Sequence, residues 1–191
     1  MIMVQSLTNT FGDAFIAANT IVMKVDGLII MPIFSFGAAI TVYAGQNVGA
    51  NRYDRVKEGK KQCALLTVFT SILIVACILL FGRQIAGMFT ETQVLLDIAM
   101  RLLRILAPGY IAFALTQVLW GVIRGAGDTM TPMWLSLVSA MLRVSFAYLL
   151  VHLTGNPESI LYAVLIAWVT GTVPTFIFYR IGRWRTMGLI K

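Results

Sequence analysis

Long stretches of this 191-residue chain carry no charge at all. None occurs between Asp26 and Arg52, Lys61 and Arg83, Arg104 and Arg124, or Glu158 and Arg180, and each gap holds 19 residues or more. A fifth stretch, Asp128 to His152, is interrupted only by Arg143. About 20 apolar residues cross a bilayer core as a helix. Within that core the backbone must satisfy itself, so only helices and closed barrels span it. No stretch alternates with period 2, which argues against a barrel. The pattern predicts an all-α polytopic membrane bundle with full helices at about 14–46, 58–81, 95–122, 132–152 and 159–181. Met1 to Asn9 reads as the tail of an earlier, truncated helix.

Composition excludes the main alternatives. Charged residues make up 12% of the chain, half the share of about 25% in a soluble domain. Mean hydropathy is +0.84. Such a chain cannot clothe a soluble enzyme in polar groups. The net charge of +7 invites a nucleic-acid reading, but the basic residues sit between apolar runs and not along one solvated face, so no nucleic-acid partner is expected. Cys63 and Cys77 are 14 residues apart in one run, about 21 Å of helical rise, too far to pair. One histidine, His152, leaves no histidine cluster for a metal. The N-terminus lacks a basic n-region, so no cleaved signal peptide is read. Neither a Walker pattern nor a Ser-His-Asp set is present, so no enzymatic activity is expected. Transport by this chain would need an ion gradient or a separate subunit.

The breaks between runs carry turn residues: Asn9–Asp13, Gly49-Ala50-Asn51, Phe81-Gly82-Arg83, Gly125–Asp128 and Gly155-Asn156-Pro157. Pro132 suits the first turn of its helix, while Pro32, Pro108 and Pro174 fall inside helices and favour kinks. With alternating spans, ten basic residues collect on one side: Arg52, Arg55, Lys57, Lys60, Lys61, Arg124, Arg180, Arg183, Arg185 and Lys191. The positive-inside rule makes that side, and the C-terminus, cytoplasmic.

Several polar groups lie at membrane depth, where they are expensive and commonly functional. Lys24 and Asp26 sit in the second segment, two residues apart and so on different helix faces. Either they serve ion coupling, or Lys24 snorkels and Asp26 is a structural acceptor. Arg143 is the most deeply placed cation and requires a polar interior or a partner. A structural ion pair and a coupling or substrate role are both open for it. Gln5, Ser6, Asn9, Thr116 and Gln117 either bond between helices or line a substrate cavity. Met23, Met31, Met133 and Met141 suit a promiscuous pocket or simple core filling. Gly45–Gly49 and Gly121–Gly125 each fit GxxxG, a spacing that allows close helix approach.

Two loop motifs give a resemblance. The first is Pro32-x4-Gly37-x7-Gly45-Gln46-Asn47-x-Gly49-Ala50-x-Arg52-Tyr53-Asp54-Arg55-Val56, and the second is Arg124-Gly125-Ala126-Gly127-Asp128-Thr129-x-x-Pro132. In order and spacing they resemble the multidrug and toxic compound extrusion (MATE) family. Gln5-Ser6-Leu7-x-Asn9-x-Phe11-Gly12 and Lys24-Val25-Asp26 are similar to its bacterial drug-efflux members. The terminal Tyr179-Arg180-x-Gly182-Arg183-Trp184 resembles the end of the second lobe.

The resemblance implies half of a twelve-helix transporter: the C-terminal lobe over residues 1–191, its first helix incomplete, partnered by an N-terminal lobe. It implies a multi-pass protein of the plasma (inner) membrane, in contact with membrane lipid. Organic, often cationic, compounds would leave in exchange for Na⁺ or H⁺, with no other cofactor and with substrate held between the lobes, as at other transporter repeat interfaces. The sodium-coupled branch carries an acid eleven residues before the Arg-Gly pair, but Phe113 stands there, and residues 1–9 hold no Asp or Glu. The coupling acid is then Asp26 or lies in the other lobe. A lipid-linked oligosaccharide flippase of the same superfamily stays open through Lys24, Arg101, Arg104 and Arg143, as does an inactive fragment or scaffold.

Overall fold

The computed structural model describes residues 7–182. A 3₁₀ turn, Asn9–Phe11, leads through Gly12 into five helices: α1 Asp13–Gly49, α2 Tyr53–Gly87, α3 Gln93–Gly125, α4 Met130–Thr154 and α5 Ser159–Ile181. All five are long and apolar enough to cross a membrane, and the described residues contain no strand. The sequence pattern places α5 correctly and the others short by up to six residues at an end. The physical reason is that charge marks the edge of the hydrocarbon, not the end of a helix. Residues such as Asp54, Arg55 and Lys57 continue α2 beyond it. With 37 residues, α1 is about 55 Å long, well beyond the roughly 30 Å core. Helices run unbroken through Pro32, Pro108 and Pro174.

The two motif loops stop their helices in the same way. Asn51 and Gly127 both take positive φ, +57° and +96°. The next residue then reaches back: Arg52 N–H donates to Asn47 O at 2.7 Å, and Asp128 N–H to Ile123 O at 3.1 Å. Asn51 N–H bonds Val48 O, and Gly127 N–H bonds Arg124 O. These pairings form Schellman caps, which satisfy carbonyls left over at a helix end. Asp128 then starts α4, accepting the Thr131 N–H at 2.9 Å and the Thr131 hydroxyl at 2.6 Å. Pro132 follows in the first turn, where its missing N–H leaves no donor unsatisfied.

Helix α3 is the centre of the bundle, with Leu102, Leu103, Tyr110, Val118 and Val122 wholly buried. It packs against α1, α2 and α5, while α4 docks mainly on α5 and buries only Pro132 and Ala147. The parallel helices α1 and α3 meet along a small-residue seam. A Cβ at Gly121 would lie 2.5 Å from Ile40 Cγ2 and 2.6 Å from Gly37 O. A Cβ at Gly45 would lie 3.1 Å from Gly125 O. Gly49 has nothing within 4 Å. The first GxxxG match is therefore half right: Gly45 is in the seam, and its working partner is Gly37, not Gly49. At the same end of the bundle, Lys60 sits 4.5 Å over the Tyr179 ring. The start of α2 and the end of α5 thus share one end.

Candidate functional site

Four helices enclose a cavity of about 320 Å³. Its polar groups are few: Asn19 and Asp26 from α1, Arg143 from α4, and Thr8. Most of the rest is aliphatic, and three aromatic residues, Phe34, Phe113 and Trp168, complete the lining. Phe34 meets Phe113 edge-on at 5.9 Å, Phe113 lies 5.2 Å from Trp168, and Trp168 lies 5.4 Å from Tyr110. Gly109 permits this row, since a Cβ there would fall 2.7 Å from the Trp168 ring. The row ties α1, α3 and α5 together, and its Phe34, Phe113 and Trp168 give the cavity one aromatic side.

Asp26 is held from α3. The Tyr110 hydroxyl donates to its Oδ1 at 2.8 Å, and Tyr110 is itself 0% exposed. Asp26 makes no ion pair among the described residues. Arg143 lines the same cavity, yet its buried Nε has no hydrogen-bond partner. One acid and one base therefore face the same space without joining. Arg143, Phe113 and Trp168 also border a second cavity of about 150 Å³, lined further by Thr116, Trp120, Ser136 and Ser139. These three side chains stand between the two spaces. Thr116 bonds to Thr172 at 2.9 Å, and the Trp120 indole donates to Thr175 at 3.1 Å.

Of the residues singled out from sequence, Met23, Asp26 and Arg143 converge on the larger cavity and Thr116 on the smaller. Gln117 does not line either. It is buried, with its backbone and Cβ against Gly37. Lys24 turns outward, its ammonium 5.2 Å over the Phe89 ring. That contact is cation–π and takes Lys24 away from Asp26, as residues two apart on a helix must diverge. Met31, Met133 and Met141 are exposed and line neither cavity. Gln5 and Ser6 lie outside the described residues, and Asn9 falls in the 3₁₀ turn. Arg101 and Arg104 lie in a separate cleft between α2 and α3. Of the four cations that kept a flippase open, Arg143 alone reaches the cavity. Sequence reasoning missed Tyr110, Phe34, Asn19 and Trp168. A tyrosine hydroxyl inside a charge-free run was the available sign for Tyr110, because such a group needs a partner.

The family model described as MatE matches residues 1–149. The chain belongs to the MatE family. Among curated relatives, the probable multidrug resistance protein YoeA of Bacillus subtilis (strain 168) is 31% identical over 154 residues, covering 80% of this chain and 33% of that one. The probable multidrug resistance protein YpnP of the same organism is 26% identical over 190 residues, covering 99% of this chain and 42% of that protein. This MatE chain thus spans well under half the length of these relatives. Solved structures show the same fold. A multidrug resistance MATE family transporter of the MOP superfamily in its outward-facing conformation matches with TM-score 0.89 at 22% identity, over 98% of this chain and 42% of that one. An inward-facing conformation matches with TM-score 0.82 at 21% identity, over 99% of this chain and 44% of that one. As a MatE member with five spanning helices, the chain is a multi-pass membrane protein.

Proposed function

We propose that this chain is the C-terminal lobe of an antiporter that exports organic cations in exchange for H⁺ or Na⁺, working by alternating access with an N-terminal lobe. One observation carries the reading: Asp26 stands in an apolar cavity with an aromatic side, held by Tyr110 and not ion-paired with Arg143. A carboxylate there offers a cationic aromatic compound both a counter-charge and ring faces. It offers a coupling ion the same oxygen atoms, so ion and drug compete for one group. That competition is an exchange mechanism in its simplest form. The names of the curated relatives support export of drugs as the task.

The test is reconstitution of this chain with its N-terminal lobe in proteoliposomes. A fluorescent aromatic cation is expected to move against its gradient when a pH or Na⁺ gradient is imposed, and not otherwise. Flux independent of the imposed gradient would overturn ion exchange, and absent flux would leave the chain an inactive fragment or scaffold.

In this reading the protein lies in the plasma (inner) membrane with the Arg52–Lys61 end and the C-terminus in the cytoplasm. The support is the count of basic residues at that end. With Cys63 and Cys77 replaced, Asn51→Cys is expected to resist an impermeant thiol reagent added to intact cells, while Asn156→Cys reacts. Outside labelling of position 51 would reverse the orientation.

A further inference from the structure

The cleft between α2 and α3 is unconnected with the transport reading. It has a volume of about 430 Å³ and is lined by Leu79, Leu80 and Arg83 of α2 and by Asp97, Met100, Arg101 and Arg104 of α3. The two helices approach closely at its side, where a Cβ on Gly82 would lie 2.9 Å from the end of Met100. The lining holds three arginines against one aspartate. Their partners are unequal. Arg83 is tied to Asp97 at 3.0 Å and to Gln93 at 2.6 Å. Arg101 reaches Glu158 only at 3.7 Å. The Arg104 side chain has no hydrogen-bond or ion-pair partner among the described residues.

Depth gives this imbalance a meaning. Arg104 lies 11 residues beyond the first residue of α3, about 16 Å along the axis. The 33-residue helix is about 50 Å long, so a roughly 30 Å core leaves about 10 Å outside at each end. Arg104 therefore roots a few ångströms below the headgroups, within reach of a snorkelling guanidinium. Beside it, Leu79 and Leu80 are 46% and 72% exposed. They lie 8 and 7 residues before the end of α2, about 12 and 10 Å along it, and form an apolar flank level with the arginines at the edge of the hydrocarbon. Guanidinium groups that snorkel up to phosphate level beside an apolar flank at the hydrocarbon edge match a lipid, with its phosphate on the arginines and the start of an acyl chain on the leucines. A free phosphate would gain nothing from the flank. Guanidinium groups are well suited to bind phosphate oxygens in pairs.

We propose that this cleft binds the headgroup phosphate of an anionic phospholipid, with Arg104 and Arg101 as its contacts and an acyl chain along Leu79 and Leu80. The test is native mass spectrometry of the purified full chain titrated with phosphatidylglycerol, with phosphatidylcholine of the same acyl chains, and with inorganic phosphate. Phosphatidylglycerol is expected to bind in preference to phosphatidylcholine and to stay bound in millimolar phosphate. The double variant Arg101→Gln, Arg104→Gln is expected to bind it about 25-fold more weakly, near fivefold per arginine. The control Arg52→Gln, Arg55→Gln at the other end of the bundle keeps full affinity. If the double variant does not fold, Arg104→Leu alone, which suits hydrocarbon, is expected to lose about fivefold. Equal loss in the control, equal binding of both lipids, or displacement by inorganic phosphate overturns the proposal. The last result would make the cleft a free-anion site.

Discussion

Replacing Asp26 by Asn is expected to reduce gradient-driven efflux about 5- to 150-fold, the range spanned by typical coupling free energies, while binding of the transported compound stays measurable. Asn keeps the size of the side chain and can still accept the Tyr110 hydroxyl, which lies 2.8 Å away. It loses only the charge that a proton or Na⁺ would neutralise. Without that change of charge, the ion has no differential affinity for the two access states, and a ligand without differential affinity cannot shift them. Tyr110→Phe probes the same group from the other side. It keeps the ring beside Trp168 and removes the donor to Asp26. Efflux is expected to persist with an altered pH or Na⁺ dependence, because a hydrogen bond to a charged group is worth about 1.5–3 kcal/mol. Initial rates in proteoliposomes, measured across pH and Na⁺ concentration, check both variants. Near wild-type rates with unchanged ion dependence in Asp26→Asn would make the residue structural and move coupling to the other lobe.

That experiment is possible because the sequence already exposes Asp26. A carboxylate inside an apolar segment is conspicuous whatever surrounds it, and the same holds for Arg143. The five helices were equally plain, since hydrophobic length is a one-dimensional property. What the sequence hid is which faces meet. Thr116 and Gln117 are neighbours in one run, yet Thr116 lines a cavity and Gln117 packs beneath Gly37. A rotation of 100° per residue decides between them, and nothing local fixes its origin. Lys24 and Asp26 diverge for the same reason. Phe34, Phe113 and Trp168 were invisible as a group because each is an ordinary membrane-helix residue until three helices bring the rings together. The loop motifs were legible as signatures, but their physical content, two matched Schellman caps and a helix seam, emerges only in three dimensions.

The seam also sets the register of the site, and this supports the second large effect. Tyr110 contacts Asp26, Gly121 contacts Gly37, and Gly125 contacts Thr41. Each pair differs by the same 84 positions (110 − 26, 121 − 37, 125 − 41), as expected of two parallel helices locked side by side. A methyl group at Gly125 would run into the carbonyl oxygen of Thr41 and lie 2.9 Å from Ala44 Cβ and 3.0 Å from Gly45 N. Two of these three neighbours are backbone atoms, which cannot rotate away, so the helices must separate. Gly125→Ala is therefore expected to destabilise the bundle by about 3 kcal/mol, at the upper end of overpacking costs. At roughly 2–4 °C per kcal/mol for a chain of this size, the thermal midpoint falls by about 6–12 °C in detergent. Gly49→Ala is the matched control. It ends α1 as Gly125 ends α3, at the same end of the bundle and with nothing within 4 Å, and its midpoint is expected to hold or rise slightly, because alanine favours a helix over glycine by up to about 1 kcal/mol. Efflux should follow stability in Gly125→Ala for a geometric reason. Wedging the seam open at Thr41 tilts α1 against α3 and lengthens the Tyr110–Asp26 contact, 15 residues up the same pair of helices. Equal midpoints for the two alanine variants would show that the seam tolerates a methyl group and that the register of Asp26 is set elsewhere.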